Sequence, residues 1–512
     1  MVSKYRVESD YNNTNTVTIP AGTSQTWTIA RVIGGDLIIE PGATLEVQCK
    51  VKMPEGGKII VERGGKVDVN GGLLTANSCA MWEGVEVWGD ETKNQTQTNP
   101  GTGAIYQGKI ILRNGGGIEH AHNAVVLGKP SGAGFVSGYG GGIISASGST
   151  FSQNGANVRF APYSYAASIS QITASTLSCA SPLRDKGYDL TSASSHYPTS
   201  IHPFYAPANK TGRTAYGIYP WKVRGLYVGP TNSFSNIERA VYIIDSKINV
   251  VSNTFNNHTY SVMISNSTSP VQYGNYISGN TFNNAMYHIF DGAGKFDNIV
   301  ATTAINSFNQ ANTNPTSSVN VVGIYFQAAS GFNVKDNEFK KLKFANVINN
   351  SGTTGGFIGY QSAGNKYTDC ELAISGSLDN SKLTIRCNNY FTNSPAFYSG
   401  KSWNISGNIA TQGAFSANPF EVQKPAGNRF FDLTYSHINS QNITNALGQL
   451  YYYRHNVGVG SDPTVDFTPM GLTKEIIDVP VVFSANDPNI QCDPPCNHQS
   501  NSQAAIRTAI DY

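Results

Sequence analysis

Charge is the property that this sequence has least of. Only 13% of its 512 residues are Asp, Glu, Lys or Arg, and the formal net charge is +2. An average globular protein carries about 25% charged residues. No run of Lys and Arg is longer than the pair Lys340 and Lys341, so the charge pattern does not support a nucleic acid partner. The 52 glycines favour short strands joined by tight turns over helices.

Long apolar segments are missing as well. No stretch of about 18 apolar residues is present, and a segment of that kind is needed to cross a membrane. The N-terminal sequence MVSKYRVESDYNN lacks the apolar core of a signal peptide. We therefore predict a chain without a membrane span.

Cysteine is scarce and odd in number. At least one of the seven thiols is unpaired within the chain, and disulfides and free thiols both remain open. Cys370 and Cys387 flank neighbouring repeats, whereas Cys492 and Cys496 are spaced to close a small loop. A zinc site needs converging Cys and His side chains, and only that last pair clusters with a His, His498. We predict no metal site and no cofactor.

The sequence does have a repeat of an Asn, any residue, and an aromatic residue. Eight copies between residues 232 and 430 follow the repeat spacing, with a weaker member, Asn408-Ile-Ala410, in the one wide gap. Successive Asn residues lie 20 to 31 positions apart, and a period of this length indicates a solenoid. The Asn residues of the repeat are Asn232, Asn253, Asn280, Asn306, Asn337, Asn365, Asn388, Asn408 and Asn428.

Physical chemistry explains why Asn suits this position. In a parallel coil the same turn recurs about 4.8 Å higher on every rung. Asn tolerates the left-handed backbone conformation that such a turn needs, and its amide can donate to one rung and accept from another. The aromatic residue two positions on points to the same side and stacks in the core. We therefore predict that these Asn residues form a structural ladder.

The rest of the chain predicts the same all-β architecture. Short apolar runs separated by Pro-Gly and Gly-Gly pairs indicate strands, and the connections are too short for crossover helices. We predict a right-handed parallel β-helix solenoid with an irregular loop excursion and terminal caps. Its predicted parts are an N-terminal cap at 1–30, the β-helix at 31–440 with a projecting loop region at 161–220, and a C-terminal cap and polar tail at 441–512.

The repeat resembles a known family. The Asn-x-Phe triplet followed by a short apolar strand is similar to the right-handed parallel β-helix repeats of the pectin-lyase-like superfamily. The segments Glu40-Pro-Gly-Ala-Thr-Leu45 and Met81-Trp-Glu-Gly-Val85 resemble large secreted surface proteins of Bacteroidota, many of which the type IX secretion system exports. The resemblance implies an extracellular or cell-surface location. We accordingly expect a processed or partial chain from which the signal peptide has been removed.

Catalytic signatures are weak. Hydrolases of the polygalacturonase type carry an adjacent Asp pair and an Arg-x-Lys; this chain has no Asp-Asp, and its Arg-x-Lys lies in the irregular loop region. Asp336 with Glu338, and Asp369 with Glu371, are spaced like the two carboxylates of a glycosidase. We interpret them instead as turn and repeat positions, and we predict no catalytic residue.

His120 and His122 have the spacing of one strand face, which would suit a metal. No carboxylate partner beyond Glu119 is near them in the sequence. The loop region also supplies aromatic and cationic side chains that would suit a sugar chain, although packing of the loop onto the β-helix explains the aromatic ones as well. The candidate glycan-binding residues are Tyr163, Tyr165, Arg184, Lys186, Tyr197 and Trp221.

These features favour a non-catalytic extracellular β-helix protein that serves as a structural or adhesive surface component. The alternatives are a carbohydrate-active enzyme, either a polysaccharide lyase or a glycoside hydrolase, and a glycan-binding module. The predicted partner is a surface glycan or another copy of the chain.

Overall fold

Every regular secondary-structure element in the described part of the chain is a β-strand. A computed structural model places them in two compact units, Met1–Met263 and Ile264–Tyr512. Among the described residues there is no helix, which confirms the all-β prediction. The described residues are 8–9, 16–101, 103–132, 134–165, 168–181, 183–184, 213–265, 275–292, 297–300, 306–309, 321–329, 331–351, 356–359, 364–385, 388–391, 403–409, 428–430, 438–443, 450–454 and 474–478.

In unit 1 the chain coils through three parallel sheets. Sheet 1 consists of Ser24–Trp27, Thr44–Val47, Lys66–Asn70, Lys109–Arg113, Ile143–Ser147, Gln171–Thr173, Arg224–Val228 and Lys247–Val251. Sheet 2 consists of Glu8–Ser9, Arg31–Val32, Lys50–Met53, Leu73–Ala76, Gly117–Glu119, Thr150–Ser152, Thr176–Ser178, Ser233–Ser235 and the beginning of Thr254–Ser265. Sheet 3 consists of Val17–Ile19, Leu37–Ile39, Lys58–Val61, Trp82–Val87, Ala121–Leu127, Ala156–Phe160, Thr214–Pro220 and Ile237–Ile244.

Unit 2 repeats the same order of sheets. Its sheet 1 consists of Asn275–Ser278, Asp297–Val300, Phe332–Lys335, Gly356–Gly359 and Leu383–Ile385. Its sheet 2 consists of the beginning of Thr281–Gly292, then Ser307–Asn309, Glu338–Lys340, Lys366–Thr368, Asn389–Phe391, Asn428–Phe430, Leu450–Arg454 and Lys474–Asp478. Its sheet 3 consists of the end of Thr281–Gly292, then Val322–Gln327, Phe344–Asn349, Leu372–Ser377, Trp403–Ile409 and Ile438–Ile443, and Asp379–Asn380 also pairs with Trp403–Ile409. Parallel strands that return in this order each time form a β-helix, as predicted.

The interior of sheet 2 is a column of stacked side chains. In unit 1, Phe234 and Phe255 stack with ring centroids 4.7 Å apart and an interplanar angle of 9°. In unit 2 the stack runs through five rings whose neighbouring centroids lie 4.6 to 5.0 Å apart. Its members are Phe282, Phe308, Phe339, Tyr367 and Tyr390.

A ladder of buried Asn side chains lies beside this stack, at the corner between sheets 1 and 2. In unit 1, Asn232 Nδ2 donates to Asn253 Oδ1 at 2.9 Å. In unit 2 each Asn side chain donates from Nδ2 to the Oδ1 of the next, at distances of 2.8 to 3.1 Å. The members in unit 2 are Asn280, Asn306, Asn337, Asn365 and Asn388.

Two details of the ladder differ from the sequence expectation. The left-handed backbone belongs to the residue before the Asn, as at Thr231 with φ of 60° and Ser252 with φ of 56°. The Asn is thus selected for its amide and not for its φ. The weaker repeat member Asn408 lies outside the ladder, because it pairs with Asp379, whereas Tyr390 pairs directly with Phe430 on the next rung of sheet 2.

Single residues with positive φ also form the other two corners. Such a residue redirects the chain within one position, which keeps the coil tight. The corner between sheets 2 and 3 uses His120, Gln153, Asn236, Asn257, Asn284, Lys341 and Asp369, and the corner between sheets 3 and 1 uses Lys222, Asp245, Ala328, Asn350 and Leu378.

Regular strands extend into segments that were predicted to be irregular. Gln171–Thr173, Thr176–Ser178 and Thr214–Pro220 all fall within the predicted loop region at 161–220, of which residues 185–212 lie outside the described part. The first two strands each bury one residue, Ile172 or Leu177, between polar neighbours. Because each of these strands has a single buried apolar residue, the sequence shows no apolar run that would predict it. Parallel pairing also begins within the predicted N-terminal cap at 1–30 and continues within the predicted C-terminal cap and tail at 441–512.

Candidate functional site

Two tryptophans lie in one row at the end of sheet 3 in unit 1. Trp88 follows the strand Trp82–Val87, and Trp221 follows Thr214–Pro220. The strand register places Gly128 and Ala161 on the two rungs between them. Three rungs of about 4.8 Å separate the tryptophans by about 14 Å. The row is therefore long enough to contact an extended ligand at several points.

A hairpin folds over the small residues of this row. Its strands Pro130–Ser131 and Gly134–Phe135 pair antiparallel. A Cβ atom at Gly128 would lie 3.4 Å from Phe135 Cδ1 and would clash with Ala161. Glycine at 128 therefore lets the hairpin pack closely and puts Phe135 between the two tryptophans. We call the surface formed by Trp88, Phe135, Tyr139, Tyr219 and Trp221 the aromatic face.

Trp88 forms one end of the aromatic face with Tyr139 and Lys129. The rings of Trp88 and Tyr139 meet edge to face with centroids 5.4 Å apart. Lys129 Nζ lies 4.5 Å from the Trp88 centroid and 5.0 Å from the Tyr139 centroid. All three side chains are partly exposed, so a ligand can reach both the rings and the ammonium group.

Arg63 supports this end from the side. Its Cζ lies 4.5 Å from the Tyr139 centroid. Its Nε and Nη2 donate to the carbonyl oxygens of Gly89 and Gly138, each at 2.8 Å. The guanidinium is thus fixed by backbone acceptors, and it fixes the ring of Tyr139 in turn.

Carboxylates border the same end. Glu86 accepts hydrogen bonds from Trp88 Nε1 at 3.0 Å and from Lys58 Nζ at 2.9 Å. Desolvation lowers the pKa of Lys58, but the hydrogen bond and charge of Glu86 outweigh it and raise that pKa overall. Glu62 lies next to Trp88 in the row, and burial, with a contribution from the charge of Glu40, raises its pKa. The end around Trp88 therefore combines rings with charges of both signs.

The other end of the face is more deeply buried. The ring centroids of Phe135 and Trp221 lie 5.9 Å apart. Arg159 Cζ is 5.4 Å from the ring centroid of Phe135 and 5.7 Å from that of Tyr219. Tyr219 also contacts Tyr242, with centroids 5.5 Å apart. Burial raises the pKa of Tyr219 well above its usual range. This tyrosine is a neutral hydroxyl at physiological pH.

The structure separates the six residues that the sequence proposed for glycan binding. Trp221 lies on the aromatic face. Tyr163 is only 2% exposed and donates its hydroxyl to Lys93 O at 2.9 Å, whereas Tyr165 is 55% exposed. Arg184 donates a hydrogen bond to Ser78 O at 2.8 Å. Ser78 precedes the strand Trp82–Val87, whereas Trp88 follows it. Lys186 and Tyr197 lie outside the described residues.

The other sequence candidates occupy structural positions. Asp336 and Asp369 form corners with positive φ, and Asp336 Oδ1 accepts from Gly364 N at 2.7 Å. Glu338 pairs with Lys340 at 3.0 Å and with Lys366 at 3.5 Å.

The candidate histidine pair does not share a strand face, because His120 is itself a corner. Of the two cysteines that flank neighbouring repeats, Cys370 is a buried free thiol and Cys387 lies outside the described residues. Within the described ranges, no helix is long and apolar enough to span a membrane, and no group of three or more His, Cys, Asp and Glu could hold a metal ion.

The sequence reasoning missed most of the aromatic face. Lys129 and Tyr139 lie 41 and 51 positions after Trp88 in the sequence, and the register of sheet 3 and the hairpin bring the three residues together. The usable signal was the pattern Glu86-Val-Trp88 at the end of a strand, which leaves one carboxylate and one ring on the same side.

Comparisons with known proteins leave the family open. No protein-family model matches the sequence, and no curated protein matches it. Among solved structures, tailspike protein 3 of Bacteriophage CBA120 gives a TM-score of 0.26 at 10% identity, over 88% of this chain and 55% of that one. A mutant tailspike protein of E. coli bacteriophage HK620 in complex with a pentasaccharide gives 0.26 at 11%, over 90% and 71%. Alginate lyase AlyF-OU02 with G6 gives 0.24 at 8%, over 80% and 85%.

The chain spans about half the length of the first of these proteins. Similarities with TM-scores this low do not extend to function.

Proposed function

We propose that this protein is a non-catalytic, extracellular β-helix that binds a carbohydrate chain along the aromatic face of unit 1, as an adhesive surface component. The observation that carries the proposal is the partly exposed Trp88, set against Tyr139 and hydrogen-bonded to Glu86. Carbohydrate sites combine apolar or aromatic surface with a few fixed polar groups. Glu86, Lys58 and Arg63 are such groups, because each is already held in place by a partner.

The spacing of the face supports an extended ligand. Trp88, Phe135 and Trp221 follow one another along the axis of unit 1, about 14 Å from end to end. A sugar chain laid along that axis would meet an aromatic ring at each end and one between. Short ligands would contact only one end and bind more weakly.

Substitution of Trp88 tests the proposal. We expect Trp88→Ala to weaken binding to whichever member of a polysaccharide panel binds the wild type by about tenfold or more, because it removes a ring contact. Binding is measured by affinity electrophoresis and calorimetry. The matched control is Tyr165→Ala, which removes an exposed aromatic ring of unit 1 outside the face. Equal losses in the two variants, or no binding by the wild type, would reject the proposal.

A glycoside hydrolase is the second candidate, and one observation favours it. Glu62 has a raised pKa and lies beside Trp88 in the row, with Glu40 on the preceding rung. A carboxyl group whose pKa is raised holds its proton to a higher pH than a free one, as a general acid must. Incubation with the same panel, followed by assays for reducing ends and unsaturated products, is expected to yield neither. Product that disappears in Glu62→Gln would make the hydrolase the correct assignment.

A further inference from the structure

The end of the aromatic face around Trp88 already holds an ammonium group. Trp88 and Tyr139 meet at 80°, and Lys129 Nζ lies within 5.0 Å of both ring centroids. Ammonium groups are attracted to the faces of aromatic rings, and pairs of such rings form cages for ligand cations. The protein's own lysine therefore demonstrates that the geometry of this cage suits a cation.

The surroundings of the cage are rich in carboxylates. Glu86 is hydrogen-bonded to Trp88, and Glu62 and Glu40 occupy adjacent rungs of the same row. The cations that face them are Lys58, which is paired with Glu86, Arg63, which is fixed by two carbonyl oxygens, and Lys129. Lys129 is close enough to Glu62 for their charges to attract, so moving Lys129 away would leave the cage with less positive charge beside that carboxylate.

Lys129 is the one of these three cations that is placed to move. Lys58 has an ion pair at 2.9 Å, and Arg63 has two hydrogen bonds at 2.8 Å. Lys129 is held by the two rings, and it begins the hairpin, where its carbonyl accepts from Val136 N at 2.8 Å. Cation–π contacts at partly exposed sites contribute only about 0.5–1 kcal/mol. A ligand ammonium can therefore compete with the lysine for the same rings.

We propose that the Trp88–Tyr139 cage binds the ammonium group of an amino-sugar glycan, and that Lys129 occupies the cage until the ligand displaces it. The inference rests on the proposed carbohydrate function and names its ligand class. The ring faces and Glu86 would receive the ligand ammonium, and Phe135 and Trp221 would contact the sugars beyond it. In the free protein Lys129 competes with the ligand for the cage. The apparent affinity for the glycan therefore falls in proportion to the fraction of time for which the lysine fills the cage.

The test uses chitosan hexamer, the corresponding N-acetylated chitin hexamer, and an alginate oligomer of similar length. The wild type is expected to bind chitosan hexamer more tightly than the other two, and the preference should disappear when the amine is deprotonated above its pKa. Lys129→Met keeps the length of the side chain and removes its charge. It is expected to bind chitosan hexamer about two- to fivefold more tightly than the wild type, which corresponds to one cation–π contact at a partly exposed site.

The matched control is Lys335→Met. Lys335 Nζ lies 5.5 Å from the ring centroid of Phe357 in unit 2, outside the aromatic face, so its removal should leave chitosan binding unchanged. Weaker chitosan binding by Lys129→Met, or tighter binding of alginate than of chitosan by the wild type, would overturn the inference and make Lys129 a direct contact for an acidic sugar. In that outcome the proposed function stands if Trp88→Ala still loses binding. If no glycan binds the wild type, both proposals fail.

Discussion

Sheet 2 buries stacked rings in both units, but its outer surfaces differ. In unit 1 the outer positions of four successive rungs are uncharged, and in unit 2 the equivalent positions include the ion pairs of Glu338 with Lys340 and Lys366. Behind the last two of these rungs in unit 1, and behind the surface in unit 2, lie stacked rings with centroids 4.6 to 5.0 Å apart. The repeat therefore constrains only the buried side, and the exposed side is free to diverge. The outer residues in unit 1 are Thr150, Ser152, Thr176, Ser178, Ser233, Ser235, Thr254 and Asn256.

A second pair of positions shows how one buried site accepts different chemistry. His258 and Cys370 each follow the left-handed corner between sheets 2 and 3, in unit 1 and unit 2 respectively. Each contacts the carbonyl oxygen of the ring residue one rung before: His258 Nε2 is 3.2 Å from Phe234 O, and Cys370 Sγ is 3.6 Å from Phe339 O. The corner needs a small polar contact to that carbonyl, and either side chain provides it.

Breaking the ring stack should have the largest effect. Phe308 is fully buried between Phe282 and Phe339, so Phe308→Ala should lower the free energy of unfolding by about 3–5 kcal/mol. The measurement is urea denaturation followed by circular dichroism. Ser307→Ala, on the outer side of the same strand, is the control and should have little effect. A loss below about 1 kcal/mol for Phe308→Ala would contradict the idea that the stack stabilises the coil.

The His258 and Cys370 sites should respond to opposite ends of the pH scale. Burial lowers the pKa of His258 to about 4, so this group stabilises the fold above its ordinary pKa of 6.5. That contribution, about 3 kcal/mol, should be lost as the pH falls from 6.5 to 4. Burial raises the pKa of Cys370 to about 12, so its contribution is complete below pH 9 and is lost above it.

Unfolding midpoints in urea across pH, compared between the wild type, His258→Gln and Cys370→Ser, would test this contrast. His258→Gln should flatten the acid limb only, and Cys370→Ser the alkaline limb only. An unchanged acid limb in His258→Gln would show that another group controls acid stability.

The Asn ladder should matter less than the ring stack but more than any outer residue. Asn337 accepts a hydrogen bond from Asn306 and donates one to Asn365. Asn337→Ala removes both hydrogen bonds from the buried amides of Asn306 and Asn365. We expect a loss of about 2–3 kcal/mol in the free energy of unfolding, measured in urea. The control is Asn309→Ala, on the outer side of sheet 2. Equal losses would mean that the ladder amides are no more important than a surface amide.

The ion pairs on the outer surface of unit 2 should have the smallest effect. Lys366 and Lys340 are 50% and 42% exposed, so solvent screens their pairing with Glu338. Glu338→Gln should change the free energy of unfolding by about 0.5 kcal/mol or less. The difference should vanish in high salt. A larger, salt-independent loss would indicate that Glu338 supports the coil by some other contact.

The buried side of the fold was predictable because it repeats. The Asn and aromatic positions could be found from period alone, since each rung imposes the same turn and the same stack. Asn408 shows the limit: it matches the spacing, but its strand pairs with Asp379. The left-handed residue was also misplaced by one position, because Thr231 and Ser252 have no side-chain pattern that marks them.

The aromatic face was largely hidden from sequence reasoning. Trp221 was found because it borders the irregular region, but its partner Phe135 belongs to a hairpin far away along the chain. The strand register determines which outer residues lie next to one another. Because the coils differ in length, that register cannot be obtained from the sequence spacing alone. The resemblance to Bacteroidota surface proteins stays a prediction.

The junction from sheet 3 to sheet 1 is where the chain of unit 1 varies in length. The connections 88–108, 128–142 and 161–170 all occur there, whereas the connections from sheet 1 to sheet 2 in unit 1 are at most four residues long and the last two carry the ladder residues Asn232 and Asn253. Foreign segments grafted after Trp88, Gly128 or Ala161 would thus lengthen the loops bordering the tryptophan row without touching an Asn rung. Unit 1 offers a ready scaffold on which recognition loops can be exchanged while the winding of the chain is preserved.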